Sequence, residues 1–116
     1  MTEQEIYDTV KKHLLTQNAK SVFDPARIEE GTPCMYRGEN GLQCAVGCLI
    51  PDDLYHRSME GASVTLLVTK YSKLRELFGR ENTGLVQELQ NIHDEAPVDS
   101  WKSRLMQAAF NHGLQP

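Results

Sequence analysis

Residues 34–53 read CMYRGENGLQCAVGCLIPDD, and the way this stretch folds decides the fold class of the chain. Asn40-Gly41 tolerates the positive φ angles of a tight type I′ turn, and the flanks Cys34 to Gly38 and Leu42 to Val46 carry Met, Tyr, Leu and Val. A two-stranded hairpin is therefore expected. With Asn40 and Gly41 as the central turn residues, counting outward pairs Gly38 with Gln43, Arg37 with Cys44 and Tyr36 with Ala45. A competing reading makes Cys44 to Ile50 a buried helical turn that Pro51 ends, and periodicity does not decide between the two.

Outward from this stretch the chain is helical in pattern. Thr2 followed by Glu5 is a capping box, and Ile6, Val10, His13, Leu14 and Gln17 then share one face, which predicts a helix over residues 3 to 17. From Asn18 to Thr32 the period fails and Asp24-Pro25 and Glu30-Gly31 punctuate a connector, with room for a short helical turn after Pro25. Val64, Leu67, Val68, Tyr71, Leu74 and Phe78 predict one helix over 63 to 78, which Gly79 stops. Leu85, Val86, Leu89, Ile92 and His93 predict another over 84 to 94. After Pro97, Asp99 is placed to cap a last helix whose face carries Trp101, Leu105, Ala108, Ala109 and His112. The expectation is an α+β fold: residues 1 to 116 as a single, mainly helical domain of about four helices with one small β-hairpin packed on them.

Composition narrows the function. The 116 residues are 40% hydrophobic and 24% charged, in the range of one ordinary soluble domain. A formal charge of −4 supplies no field to draw in a phosphate backbone, so nucleic acid is not the expected partner. The start, Thr2-Glu3-Gln4-Glu5, lacks the basic and apolar segments of an export signal, and apolar runs such as Val64 to Val68 are too short for a bilayer. A cytoplasmic protein without a membrane partner is expected. Three cysteines, an odd count, then read as reduced thiols.

Three chemistries compete for those thiols and the turn beside them. Cys34, Cys44, Cys48 and His56 are a legitimate ligand set for zinc, but only Cys44 and Cys48 approach ligand-knuckle spacing and there is no second close pair. Cysteine hydrolysis needs a thiolate with a histidine in reach and a carboxylate or amide to orient it. Cys44, His93 and Asp94, or Gln90 in the last role, fill those parts on paper. Against this, no elbow of small residues surrounds the cysteine, and the adjacent His93 and Asp94 diverge by about 100° on a helix. The third chemistry is binding: Tyr36, Arg37, Glu39 and Asn40 lie at or beside the turn, and Arg and Tyr are enriched at interface hot spots. Phosphate-loop and dinucleotide motifs are absent, so no cofactor is expected.

The strings CMYRGENGLQCAVGCLIPDDLY, MEG and LQNIHDEAPVDSW together resemble a group of small uncharacterised proteins of bacteriophages and prophages. That group carries Cys-x-Tyr-Arg, Gly-x-x-Cys-Ala-x-Gly and Leu-Gln-x-x-His-Asp segments. The resemblance implies a mobile-element protein in a bacterial host cytoplasm, where such proteins bind host factors or counter defence systems. The expected function is accordingly a small non-catalytic binding protein, an accessory or anti-defence factor acting on a host protein. The alternatives are a cysteine-dependent hydrolase using Cys44 and His93, and a protein that sequesters a nucleotide-like ligand with Arg37 supplying charge to a phosphate. The oligomeric state is left open by the sequence.

Overall fold

The first helix begins as the capping box dictates: Glu5 N–H donates to Thr2 Oγ1 (3.1 Å) and Thr2 N–H returns to Glu5 Oε1 (3.0 Å). In the computed structural model, which describes residues 1–22 and 34–116, this helix is α1, Glu3–Gln17. Asn18, left-handed at φ 53°, ends it by donating its N–H to Leu14 O. Ile6, Tyr7, Val10 and Leu14 form the buried face.

Four more α-helices follow: α2 Val64–Lys70, α3 Ser72–Phe78, α4 Thr83–Glu95 and α5 Trp101–Asn111. α4 and α5 match their apolar stripes. α4 buries Leu85, Val86, Leu89, Ile92 and His93 against α1, α2 and α5. α5 buries Trp101, Leu105, Ala108 and Ala109, and the Trp101 indole donates to Ala96 O at 3.1 Å. Asp99 is not the cap expected of it: a 3₁₀ turn over Val98–Ser100 leads into α5.

The single helix expected over 63 to 78 is two helices. Tyr71, at φ −111° and ψ 94°, separates α2 from α3 without a proline or glycine. Two features offset the interruption. Val64, Thr65, Val68 and Thr69 make α2 rich in β-branched residues, which weakly favour helix. The Arg75 guanidinium then donates to Val68 O at 3.4 Å, satisfying a carbonyl freed at the break.

The larger correction concerns the stretch at 34–53: among the described residues there are no strands, only isolated bridges pairing Val22 with Cys34 and Arg37 with Gln43, and the fold is all-α. The turn is present, with Asn40 at φ 60° and Gly41 at φ 75°. It closes as a three-residue tip, Gly38 N–H to Leu42 O at 2.8 Å, so Arg37 faces Gln43 instead of Cys44.

Beyond the tip, other groups take the hydrogen bonds a ladder would need. Tyr36 N–H and Arg37 N–H both donate to the Glu60 carboxylate (2.8 and 3.0 Å). Gln43 is held by α1, its N–H on Gln17 Oε1 (3.0 Å) and its carbonyl on Gln17 Nε2 (2.9 Å). With donors and acceptors satisfied this way, the arms have no reason to zip. Cys44 to Ile50 then winds helically, through Cys48 N–H to Cys44 O (3.1 Å) and a 3₁₀ turn over Gly47–Leu49. Gly47 is required there, since a Cβ at that position would stand 1.9 Å from Tyr36 O. The turn suggested after Pro25 lies outside the described residues. Among those described, no helix is long and apolar enough to cross a membrane.

Candidate functional site

The most chemically loaded cluster forms where the end of α4 meets the chain around Ser21 and Cys34. His93 is fully buried. Its Nε2 lies 2.9 Å from Ser21 N, and since a backbone N–H can only donate, Nε2 must be the unprotonated nitrogen. The ring proton is therefore on Nδ1, which donates to Asp94 Oδ1 at 2.8 Å. The divergence expected of neighbouring residues on a helix is overcome because Asp94, one residue from the end of α4, folds back onto the ring. The same Oδ1 accepts from Gln90 Nε2 (3.0 Å), whose Oε1 accepts from Val46 N–H (2.9 Å).

Cys34 completes the cluster. Its sulfur, a His93 nitrogen and an Asp94 oxygen all lie within 4.8 Å of one another. These are the ingredients of a thiol triad in a different connection: the thiol pairs with the Asp94 carboxylate, and the imidazole is closed at both nitrogens. Burial, then the Asp94 charge and hydrogen bond, push the Cys34 thiol up to about 11, with Lys20 partly opposing. At neutral pH it is protonated and a poor nucleophile.

Cys44, the cysteine proposed from sequence as a nucleophile, is not part of this cluster. It is fully buried, its sulfur accepts from Gly47 N–H at 3.3 Å, and burial pushes its thiol far up. Cys48 donates to Ala45 O at 3.0 Å and is pushed up to about 12, again by burial.

The zinc set taken from the sequence is not assembled either. His56 is exposed, and among the described residues the group of metal-ligating side chains brought together is Cys34, His93 and Asp94. An ion taking His93 Nε2 would orphan the Ser21 N–H. Binding through Nδ1 would move the ring proton to Nε2, against that same donor. Only Cys34 and Asp94 are free to ligate without rebuilding the backbone contact.

The four turn residues divide. Tyr36 is buried, its hydroxyl donating to Ala62 O, and burial raises its ionisation well above the usual tyrosine range. Arg37 is engaged by Asp52 Oδ1 (2.6 Å) and Ile50 O (2.7 Å), and its guanidinium lies 4.7 Å over the Tyr55 ring. The Tyr55 hydroxyl in turn donates to Glu60 Oε2 at 2.6 Å, and burial followed by Glu60 pushes it up to about 12. Glu39 and Asn40 do stand exposed at the tip.

The residues that organise the region are Glu60, Gln90, Gln17 and Ser21; from sequence, Gln90 has a role only as the support of a hydrolase triad and Gln17 only a place on the face of α1. Glu60 enters the sequence only within the string Met59-Glu60-Gly61 of the resemblance, with no role attached. A cleft of about 420 Å³ opens beside the cluster, lined by Cys34, Tyr36, Glu60, Gln87, Gln90 and Asp94. Comparison with protein-family models, with curated proteins and with solved structures gives no match to this chain.

Proposed function

We propose that this chain is a small non-catalytic binding protein, and that the cleft beside Cys34 and Asp94 is where it receives its partner. The observation that carries this reading is the closed hydrogen bonding of His93, which accepts from Ser21 N–H and donates to Asp94, so that no base faces a thiol. A hydrolase at this position would need the opposite arrangement. The resemblance to phage proteins adds the context of an accessory or anti-defence factor acting on a host protein in a bacterial cytoplasm.

A volume of about 420 Å³ is also within the range of small-molecule sites, which keeps a small ligand as the second reading. The chemistry of the lining favours a donor-rich or cationic group over a phosphate. Asp94 and Glu60 present carboxylates to the cleft, and Arg37, the residue assigned to a phosphate, is turned toward Asp52 and Tyr55.

Alkylation of the native protein at neutral pH tests the absence of an activated thiol. Cys34 should label on the order of 100-fold more slowly than an unperturbed cysteine, in line with its raised ionisation. Fast labelling of Cys34 that His93→Ala abolishes would overturn the reading. Binding is tested by Gln87→Lys, at a cleft residue outside the Asp94 network, which should weaken recovery of a bacterial host protein on the immobilised chain while leaving its melting temperature close to wild type.

A further inference from the structure

Among the described residues, four large apolar side chains stand in solvent, and two of them are neighbours: Met106 (52% exposed) and Phe110 (81% exposed), one turn apart on α5. Lys102, also exposed, extends the row by another turn. At this four-residue spacing the three project from one side of the helix, away from the core residues Trp101, Leu105 and Ala108. One exposed apolar side chain is ordinary, whereas an adjacent Phe and Met aligned with a cation make a face.

We propose that this face is the contact between two copies of the chain, with α5 crossing α5 antiparallel about a two-fold axis at Met106. The row is its own complement. The two-fold sets Met106 against itself and Lys102 against Phe110 of the partner subunit, twice, placing an ammonium on an aromatic ring. It also brings each Lys102 to the carbonyl end of the other α5, whose last turn has no basic residue of its own. Three turns of helix bury less than the roughly 1,200 Å² at the lower bound of stable specific interfaces, so the dimer is weak, with a dissociation constant of roughly 10 μM to 1 mM. This contact is independent of the cleft and of what the cleft binds.

Sedimentation equilibrium of the full chain tests it. The average mass should exceed the monomer's 13.1 kDa and rise with concentration. Phe110→Ser and Lys102→Glu should each weaken association by about tenfold or more with an unchanged melting temperature, since neither side chain is in the core. Under mild oxidation Met106→Cys should form a disulfide dimer, and Lys73→Cys, exposed on α3, should not. A wild-type mass fixed at that of the monomer to millimolar concentration would overturn the proposal. So would dimerisation of Phe110→Ser equal to wild type, or a Met106→Cys protein that crosslinks no faster than Lys73→Cys.

Discussion

Two regions of this molecule are held together by different physics. α1, α4 and α5 meet through apolar stripes at helical spacing, and their backbones are satisfied within each helix. The segment from Cys34 to Ala62 contains only short helical turns and is held by side chains reaching across to its backbone: Glu60 on Tyr36 and Arg37, Gln17 on Gln43, Gln90 on Val46, Arg37 on Ile50. In the first region many small dispersion contacts share the load, so deletions are graded. In the second a few polar atoms each satisfy several donors, and removing one strands its partners in the interior.

This difference can be broken most severely at Gly47. Gly47→Ala drives a methyl group into the Tyr36 carbonyl, a backbone atom that cannot step aside, and should cost about 4 kcal/mol or more in denaturant unfolding. Glu60→Ala comes next. It leaves Tyr36 N–H, Arg37 N–H and the Tyr55 hydroxyl without their acceptor and should destabilise by about 3 kcal/mol. Glu88→Ala, at a half-exposed pair with His112, should cost no more than about 1 kcal/mol.

Gln90→Leu keeps the side-chain volume but orphans Val46 N–H and takes one donor away from Asp94 Oδ1; a loss of about 2 kcal/mol is expected from the same unfolding measurement. A loss below that of Glu88→Ala would erase the distinction between the regions.

A separate effect is in the pH dependence. Burial raises Cys34 to about 11 and Cys48 to about 12, against an ordinary 9.0. The unfolded chain therefore loses these protons first. The stability tied to keeping the thiols neutral is complete below pH 9 and is lost as pH rises from there through 11 and 12. Cys34→Ala should flatten the early part of that decline in pH-resolved unfolding curves, and a slope unchanged from wild type would mean the thiol is not shielded.

The contrast between the regions also explains what could be read from the residues alone. α1, α4 and α5 were legible because Ile6, Val10 and Leu14, or Leu85, Leu89 and Ile92, report a local period. The break at Tyr71 was not, because its replacement bond comes from Arg75 and no breaker residue marks it. At 34–53 Asn40-Gly41 correctly signalled a turn, but a turn does not specify where the N–H groups of its arms will go. Those destinations lie 24 residues away at Glu60 and 26 away at Gln17, beyond the reach of any local pattern. The candidate site was half visible for the same reason. His93 and Asp94 were singled out, yet the cysteine that joins them is Cys34, brought there beside Ser21 by long-range backbone pairing.

In the proposed reading this Cys, His and Asp cluster is chemically quiet because the imidazole is locked between Ser21 and Asp94. Long-range proton–nitrogen NMR of the His93 ring at neutral pH tests it most directly. The structure predicts a neutral ring with the proton on Nδ1 and an unprotonated Nε2, unchanged in Cys34→Ala. A proton on Nε2 of a neutral ring would contradict the contact with Ser21 N–H, and a doubly protonated ring that becomes neutral when Cys34 is replaced would reveal an imidazolium paired with a thiolate and contradict the proposed reading.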